Sequence, residues 1–334
     1  MDKTKARVLS GIQPSGYAHL GNFFGAFVNW ARLQHECDCL YCIVDLHALT
    51  SVTDSQKLRD MSRSMALDIL ACGVDPERAT LFIQSSVPEH TELLWIFCTL
   101  TGFGDLSRMT QFKAKAEQGL PVTAALFAYP VLQAADILLY KAAKVPVGED
   151  QLQHLELTRR IARSFNYTYG ELFPEVEPIL SEATRILSLA DPTQKMSKSL
   201  GERHVIGVFE DEKSIRMKIR SAVTDIGLDE VKGSAQKSPG VQNLFVILKM
   251  VGAHEAVTQF EAAYAAGKLM YKDLKAEVAD RLMTFLRPYR ERREELAAVP
   301  GRVEAILAAG NARARQIATE TLREVRDRIG LLSV

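Results

Sequence analysis

The chain is 334 residues long, 47% hydrophobic and 25% charged, enough apolar material for a sizeable core and about two domains. Its 41 basic and 41 acidic side chains cancel, which excludes a small protein that holds nucleic acid by bulk charge and leaves local basic patches as the route to RNA. No run approaches the ~20 apolar residues that a membrane span needs, and the opening MDKTKARVLSG has no apolar signal core; a cytoplasmic protein is expected.

In chain order, Arg7 to Ser10 reads as a short apolar strand ending at Gly11. Leu20 to Gln34 follows as a helix, with Phe24, Phe27, Val28 and Ala31 among its apolar positions. Cys39 to Val44 is a buried strand, and its neighbouring cysteines Cys37, Cys39 and Cys42 read as core, since no second CxxC or paired His completes a metal-ligand set. Leu58, Met61, Met65, Ile69 and Cys72 share one face of an amphipathic helix that Gly73 stops. Thr80 to Ile83 is another strand. This rhythm predicts an α/β fold with a doubly wound, Rossmann-like parallel sheet, whose ligands bind beyond the strand ends. The loops after Leu9, Val44 and Val147 are therefore the places to look.

Ala124 to Tyr140 is apolar and interrupted by Pro130, which predicts a packed helix pair. After about residue 203 strand signals fade into helices rich in Lys, Glu, Arg and Ala, so an all-helical second domain is expected. Residues 301–332 fit one long final helix, with Gly310 as its weak point. Trp30 and Trp95 fall at helical positions and read as packing residues. Lys213, Arg216, Lys218 and Arg220 read as a solvated helix face, with RNA contact as the alternative, and the arginines from Arg287 to Arg293 are read the same way.

Two segments carry chemistry. Gly11-Ile12-Gln13-Pro14-Ser15-Gly16-Tyr17-Ala18-His19-Leu20-Gly21-Asn22 runs from a strand into a helix, where exposed N–H groups favour phosphate. His19 and Asn22, three apart, point the same way from the first turn. Gln194-Lys195-Met196-Ser197-Lys198-Ser199-Leu200-Gly201 sets two lysines on a short loop that can neutralise a polyphosphate. Taken singly, each is also an ordinary Gly-rich turn or basic loop.

Together they resemble the HIGH and KMSKS signatures of class I aminoacyl-tRNA synthetases, with His19-Leu20-Gly21-Asn22 in place of the HIGH tetrad. SGIQPSG at 10–16, RMTQFKAK at 108–115, PVLQAADILLY at 130–140 and VPVGEDQ at 145–151 are similar to the tryptophan branch of that family, and so is the stretch 312–331. Asp136 by itself does not decide between tryptophan and tyrosine, because indole N–H and phenol O–H both donate. Gln133, where many tryptophan enzymes carry Met, leaves the same question open, while the other segments favour tryptophan.

The resemblance implies ligation of L-tryptophan to tRNA(Trp), with ATP as substrate, Mg²⁺ beside it and a homodimeric enzyme. It implies catalytic roles for His19, Asn22, Lys115, Lys195 and Lys198. ATP would contact Gln13, Pro14, Ser15, Gly21 and Asn22, then Gly148, Glu149, Asp150 and the Ile186 backbone, then Lys195, Met196, Ser197, Lys198 and Ser199. Tryptophan would meet Leu9, Gln13, His47, Tyr129, Gln133, Asp136 and Gln151, although His47 reads equally well as a satisfied core histidine. The implied organisation is a catalytic domain over 1–190, the KMSKS loop at 191–203, a helical anticodon-binding domain at 204–297 and a returning helix at 298–334. A tyrosine enzyme, a nucleotidyltransferase of the same superfamily and a non-enzymatic paralogue remain as alternatives. An exchange assay decides the first and tRNA charging the second, while the intact lysines and glycines of both signatures argue against the third.

Overall fold

Apolar residues that alternate across β1 (Arg7–Ile12) send Val8 to one face and Leu9 to the other, and both are buried. A strand covered on both faces has to sit inside a sheet. In the computed structural model, which describes residues 5–110, 123–180, 186–224 and 237–332, β1 is the central strand of five. The others are β2 (Asp38–Ile43), β3 (Thr80–Ile83), β4 (Lys144–Val147) and β5 (Glu177–Leu180), in the parallel order β3-β2-β1-β4-β5. The chain winds outward through β2 and β3, then returns to place β4 on the other side of β1. The β1/β4 junction is thus the switch point where a crevice opens beyond the strand ends. β1 extends past the predicted Ser10 because Gly11 and Ile12 still pair with Cys42 and Ile43.

The helix predicted from Leu20 is three joined pieces, α1 (Leu20–Asn22), a π-helical turn at Phe23–Phe27 and α2 (Val28–Leu33). A short α3 (Asp45–Ala48) follows β2, and α4 (Ser55–Ala71) starts at its Asp54 cap. After β3 come α5 (Glu89–Cys98) and α6 (Phe103–Ser107). The predicted helix pair is a single helix, α7 (Ala124–Leu139), with buried Pro130 inside it. One proline removes one backbone bond and kinks a helix, but burial of the surrounding face holds the two halves together. α8 (Leu152–Tyr169) leads into β5.

Beyond the KMSKS segment the described chain is helical: α9 (Glu212–Ser221), α10 (Pro239–Met250), α11 (His254–Ala265), α12 (Tyr271–Ala297) and α13 (Arg302–Ile329). Among the described residues no helix is long and apolar enough to cross a membrane. One core, which includes Phe23, Phe27, Met65, Ile69, Leu248 and Leu282, joins α4 to the helical region on one side of the sheet. The other packs α5, α7, α8 and α13 against the opposite face. Gly310 does not interrupt α13. A Cβ there would lie 1.9 Å from the Leu81 carbonyl oxygen, so the bare backbone lets the helix press on β3, and Asn311 Oδ1 accepts the Ile83 N–H at 2.8 Å. Trp30 packs as expected, stacked on Tyr41 at 4.4 Å, whereas Trp95 is 73% exposed: it sits on the solvent side of α5, whose other face is spent on the core.

Candidate functional site

His19 caps α1. Its Nδ1 accepts the Asn22 N–H at 3.3 Å, while Asn22 Oδ1 accepts the His19 N–H at 3.2 Å. This reciprocal box fixes the turn. A Cβ on Gly21 would fall 2.8 Å from His19 Cε1, so the ring can lie there only over glycine. Burial, then the charges of Lys198 and Lys195, lower the His19 pKa to about 4, which keeps the imidazole neutral.

The second signature meets this turn. Met196 is buried and anchors its loop, donating its N–H to the Ile186 carbonyl at 3.0 Å. Lys198 Nζ donates to the carbonyls of Ser15 at 2.9 Å and Tyr17 at 2.6 Å and lies 5.3 Å from the Tyr17 ring centroid. Burial lowers the Lys198 pKa to about 8, so it is still a cation at pH 7. The chain after the loop stays against the turn, where Leu20 N–H donates to Ile206 and Val208 N–H to Ala18. Asp68, fully buried on α4, clamps the turn from behind: one oxygen accepts the Ala18 N–H at 3.0 Å and the other Arg293 Nε from α12 at 2.7 Å. Burial raises the Asp68 pKa, and Arg293 opposes the rise. Neither Asp68 nor Arg293 carries a motif signal, and sequence reasoning passed over their pairing.

In front of the turn, at the switch point, lies a cavity of about 520 Å³. Of the predicted contacts, Leu9, Gln13, Ser15, Asn22, His47, Tyr129, Gln133, Asp136, Gly148 and Gln151 line it. Pro14, His19, Gly21, Glu149, Asp150, Ile186 and Lys195 to Ser199 do not; of these, His19 and Gly21 form the turn itself and Lys198 holds it. Lys115 lies outside the described residues. Tyr129 Oη is 2.9 Å from His154 Nε2, burial raises its pKa to about 12, and Gln133 Nε2 is 3.5 Å from Gln151 Oε1.

Asp136 is 3% exposed. Burial alone would protonate it, yet hydrogen bonds from His47 and His90 outweigh burial and hold its pKa well below the usual carboxylate range. Its Oδ2 is 2.8 Å from His47 Nε2, so His47 both lines the cavity and is a satisfied buried histidine. Gln84 and His90 also bond it, and neither was foreseen; the only sequence hint was polar residues directly after β3.

A sequence model described as tRNA synthetases class I (W and Y) matches residues 1–287. The chain belongs to this family. This class I synthetase is similar to tryptophan–tRNA ligase 2 of Streptomyces avermitilis, 46% identical over 99% of both chains, and to the tryptophan–tRNA ligase of Corynebacterium efficiens, 47% identical over 99% of this chain and 96% of that one. Its fold matches the tryptophanyl-tRNA synthetase of Campylobacter jejuni complexed with ADP and tryptophan, with a TM-score of 0.86 and 35% identity over 97% of this chain and 100% of the other. The synthetase's cysteines are free, and burial raises the thiol pKa of Cys39 to about 11, as suits core residues. In the α9 basic cluster, Arg216 is bridged to Glu212 and Asp280 and Lys218 to Glu210, so half of its charge is already paired within the protein.

Proposed function

We propose that this synthetase activates L-tryptophan with ATP and transfers it to the 3′ end of tRNA(Trp). The observation that supports this best is the seating of Lys198 on the Ser15–Tyr17 turn, at the edge of a cavity whose floor carries the ionised Asp136. In this reading the tryptophan carboxylate attacks the α-phosphorus, the bond to the bridging oxygen breaks, and pyrophosphate leaves with its electron pair. Positioning and charge stabilisation supply most of the catalysis in such transfers. Gln13, Ser15, His19, Gly21 and Asn22 seat the nucleotide with Gly148, Glu149, Asp150 and Ile186, while Lys115, Lys195 and Lys198 offset the leaving charge. Mg²⁺ arrives with ATP as the counter-ion of its phosphates.

Tyr129, Asp136 and Gln151 read the side chain, with Asp136 accepting the indole N–H. The near-full-length similarity to two tryptophan–tRNA ligases favours tryptophan over tyrosine. The helical segment 204–297 is proposed to bind the tRNA anticodon and 298–334 to return to the catalytic domain. The exposed Trp95 and Phe103 favour a homodimer through α5 and α6. ATP–pyrophosphate exchange, run separately with each amino acid, tests the assignment. Exchange is expected with tryptophan, and exchange supported by tyrosine instead would overturn it.

A further inference from the structure

The Asp136 carboxylate is held by more than the cavity wall. Oδ1 accepts from Gln84 Nε2 at 2.7 Å and from His90 Nδ1 at 2.7 Å, and Oδ2 from His47 Nε2 at 2.8 Å. An ionised carboxylate only accepts, so each facing nitrogen must donate. A neutral imidazole has a single N–H. With Nδ1–H committed to Asp136, His90 Nε2 accepts from the Tyr140 hydroxyl 2.8 Å away. Gln84 is fixed in the same sense, because its Oε1 accepts the Leu46 N–H at 3.1 Å. Phe82 of β3 stacks on the His90 ring at 6.2 Å and meets Tyr140 edge-on at 5.3 Å, which holds both rings in place.

Two donors therefore fill Oδ1, while Oδ2 keeps one lone-pair direction beyond its bond from His47. Asp136 and His47 line the cavity; Gln84, His90 and Tyr140 stand behind them. We propose that His90 and Tyr140 are positioning residues for amino-acid selection: through Oδ1 they hold Asp136 in one orientation and leave Oδ2 as the acceptor offered to the indole N–H. The inference rests on the reading of Asp136 given above. An acceptor buried and oriented before the ligand arrives rejects ligands that bring no donor, because it is then left unpaired.

The test uses the full chain and two amino acids, tryptophan and 3-benzothienylalanine, in which sulfur replaces the indole N–H. The wild type is expected to prefer tryptophan by about a hundredfold in kcat/KM for exchange. His90→Leu is expected to raise the tryptophan KM about tenfold or more, while the KM for the sulfur analogue and for ATP stays within about twofold. His90→Asn keeps an amide donor near the Nδ1 position and should recover most of the preference. Tyr140→Phe removes one hydroxyl and should lower it by about threefold. If His90→Leu does not fold, the other two variants carry the comparison. Equal losses for both amino acids, or an unchanged preference in all three, would overturn the proposal. A wild type that accepts both amino acids equally would instead overturn the reading of Asp136 and the proposal with it.

Discussion

Replacing Gly310 with alanine sets two physical effects against each other with opposite signs. Helix propensity favours alanine in the middle of α13 by about 1 kcal/mol. The structure places the new Cβ 1.9 Å from the Leu81 carbonyl oxygen and 2.9 Å from its carbon, both backbone atoms that cannot rotate away. Ordinary contact requires a retreat of about 1.5 Å, and overpacking of this kind costs roughly 1–3 kcal/mol or more. The retreat also breaks the bond from Ile83 N–H to Asn311, uncovering the edge of β3 for about 1 kcal/mol more. The net expectation is destabilisation of about 1–3 kcal/mol, read as a lower urea midpoint at unchanged slope. β3 leads directly into Gln84, so the tryptophan KM should rise with the damage while the ATP KM moves less. A variant as stable as the wild type, or more so, would refute the reasoning, since propensity would then have outweighed the contact.

Four further outcomes are expected. Lys195→Ala should slow pyrophosphate exchange about tenfold or more while tryptophan binding, measured by equilibrium titration, is unchanged. Asp136→Asn should raise the tryptophan KM by about tenfold or more, and an untouched affinity would remove Asp136 from the pocket assignment. His19 has a folded pKa of about 4 against 6.5 unfolded; below pH 6.5 the unfolded chain takes up the proton first. Its contribution is therefore intact above that pH and falls by on the order of 2–3 kcal/mol as pH drops to about 4. Unfolding of wild type and His19→Asn at pH 7 and pH 4.5 checks this, the wild type losing more. Arg293→Met leaves the buried Asp68 carboxylate without its cationic partner and should destabilise the chain by about 3 kcal/mol and raise the ATP KM; adding Asp68→Asn should recover part of the stability.

The first three strands with the helices between them, the parallel sheet and the two signature segments followed from the sequence alone, because strand alternation, helical spacing and glycine at a tight turn are local properties of neighbouring residues. Local rules misjudged Pro130 and Trp95, and they marked Gly310 as the weak point of a long helix that forms all the same. For Pro130 and Gly310, burial against other parts of the chain outweighed the intrinsic cost, while Trp95 lies on the exposed side of α5. Asp136 was legible as a candidate, but its partners were not: Gln84 and His90 stand 52 and 46 residues away and meet it only when α5 and α7 pack across β3. The same holds for the Asp68–Arg293 pair, 225 residues apart in the chain. Sequence thus selected the chemical groups, and the tertiary structure decided which of them share protons and charge, because hydrogen bonds and ion pairs act over a few ångströms of space whatever the separation along the chain.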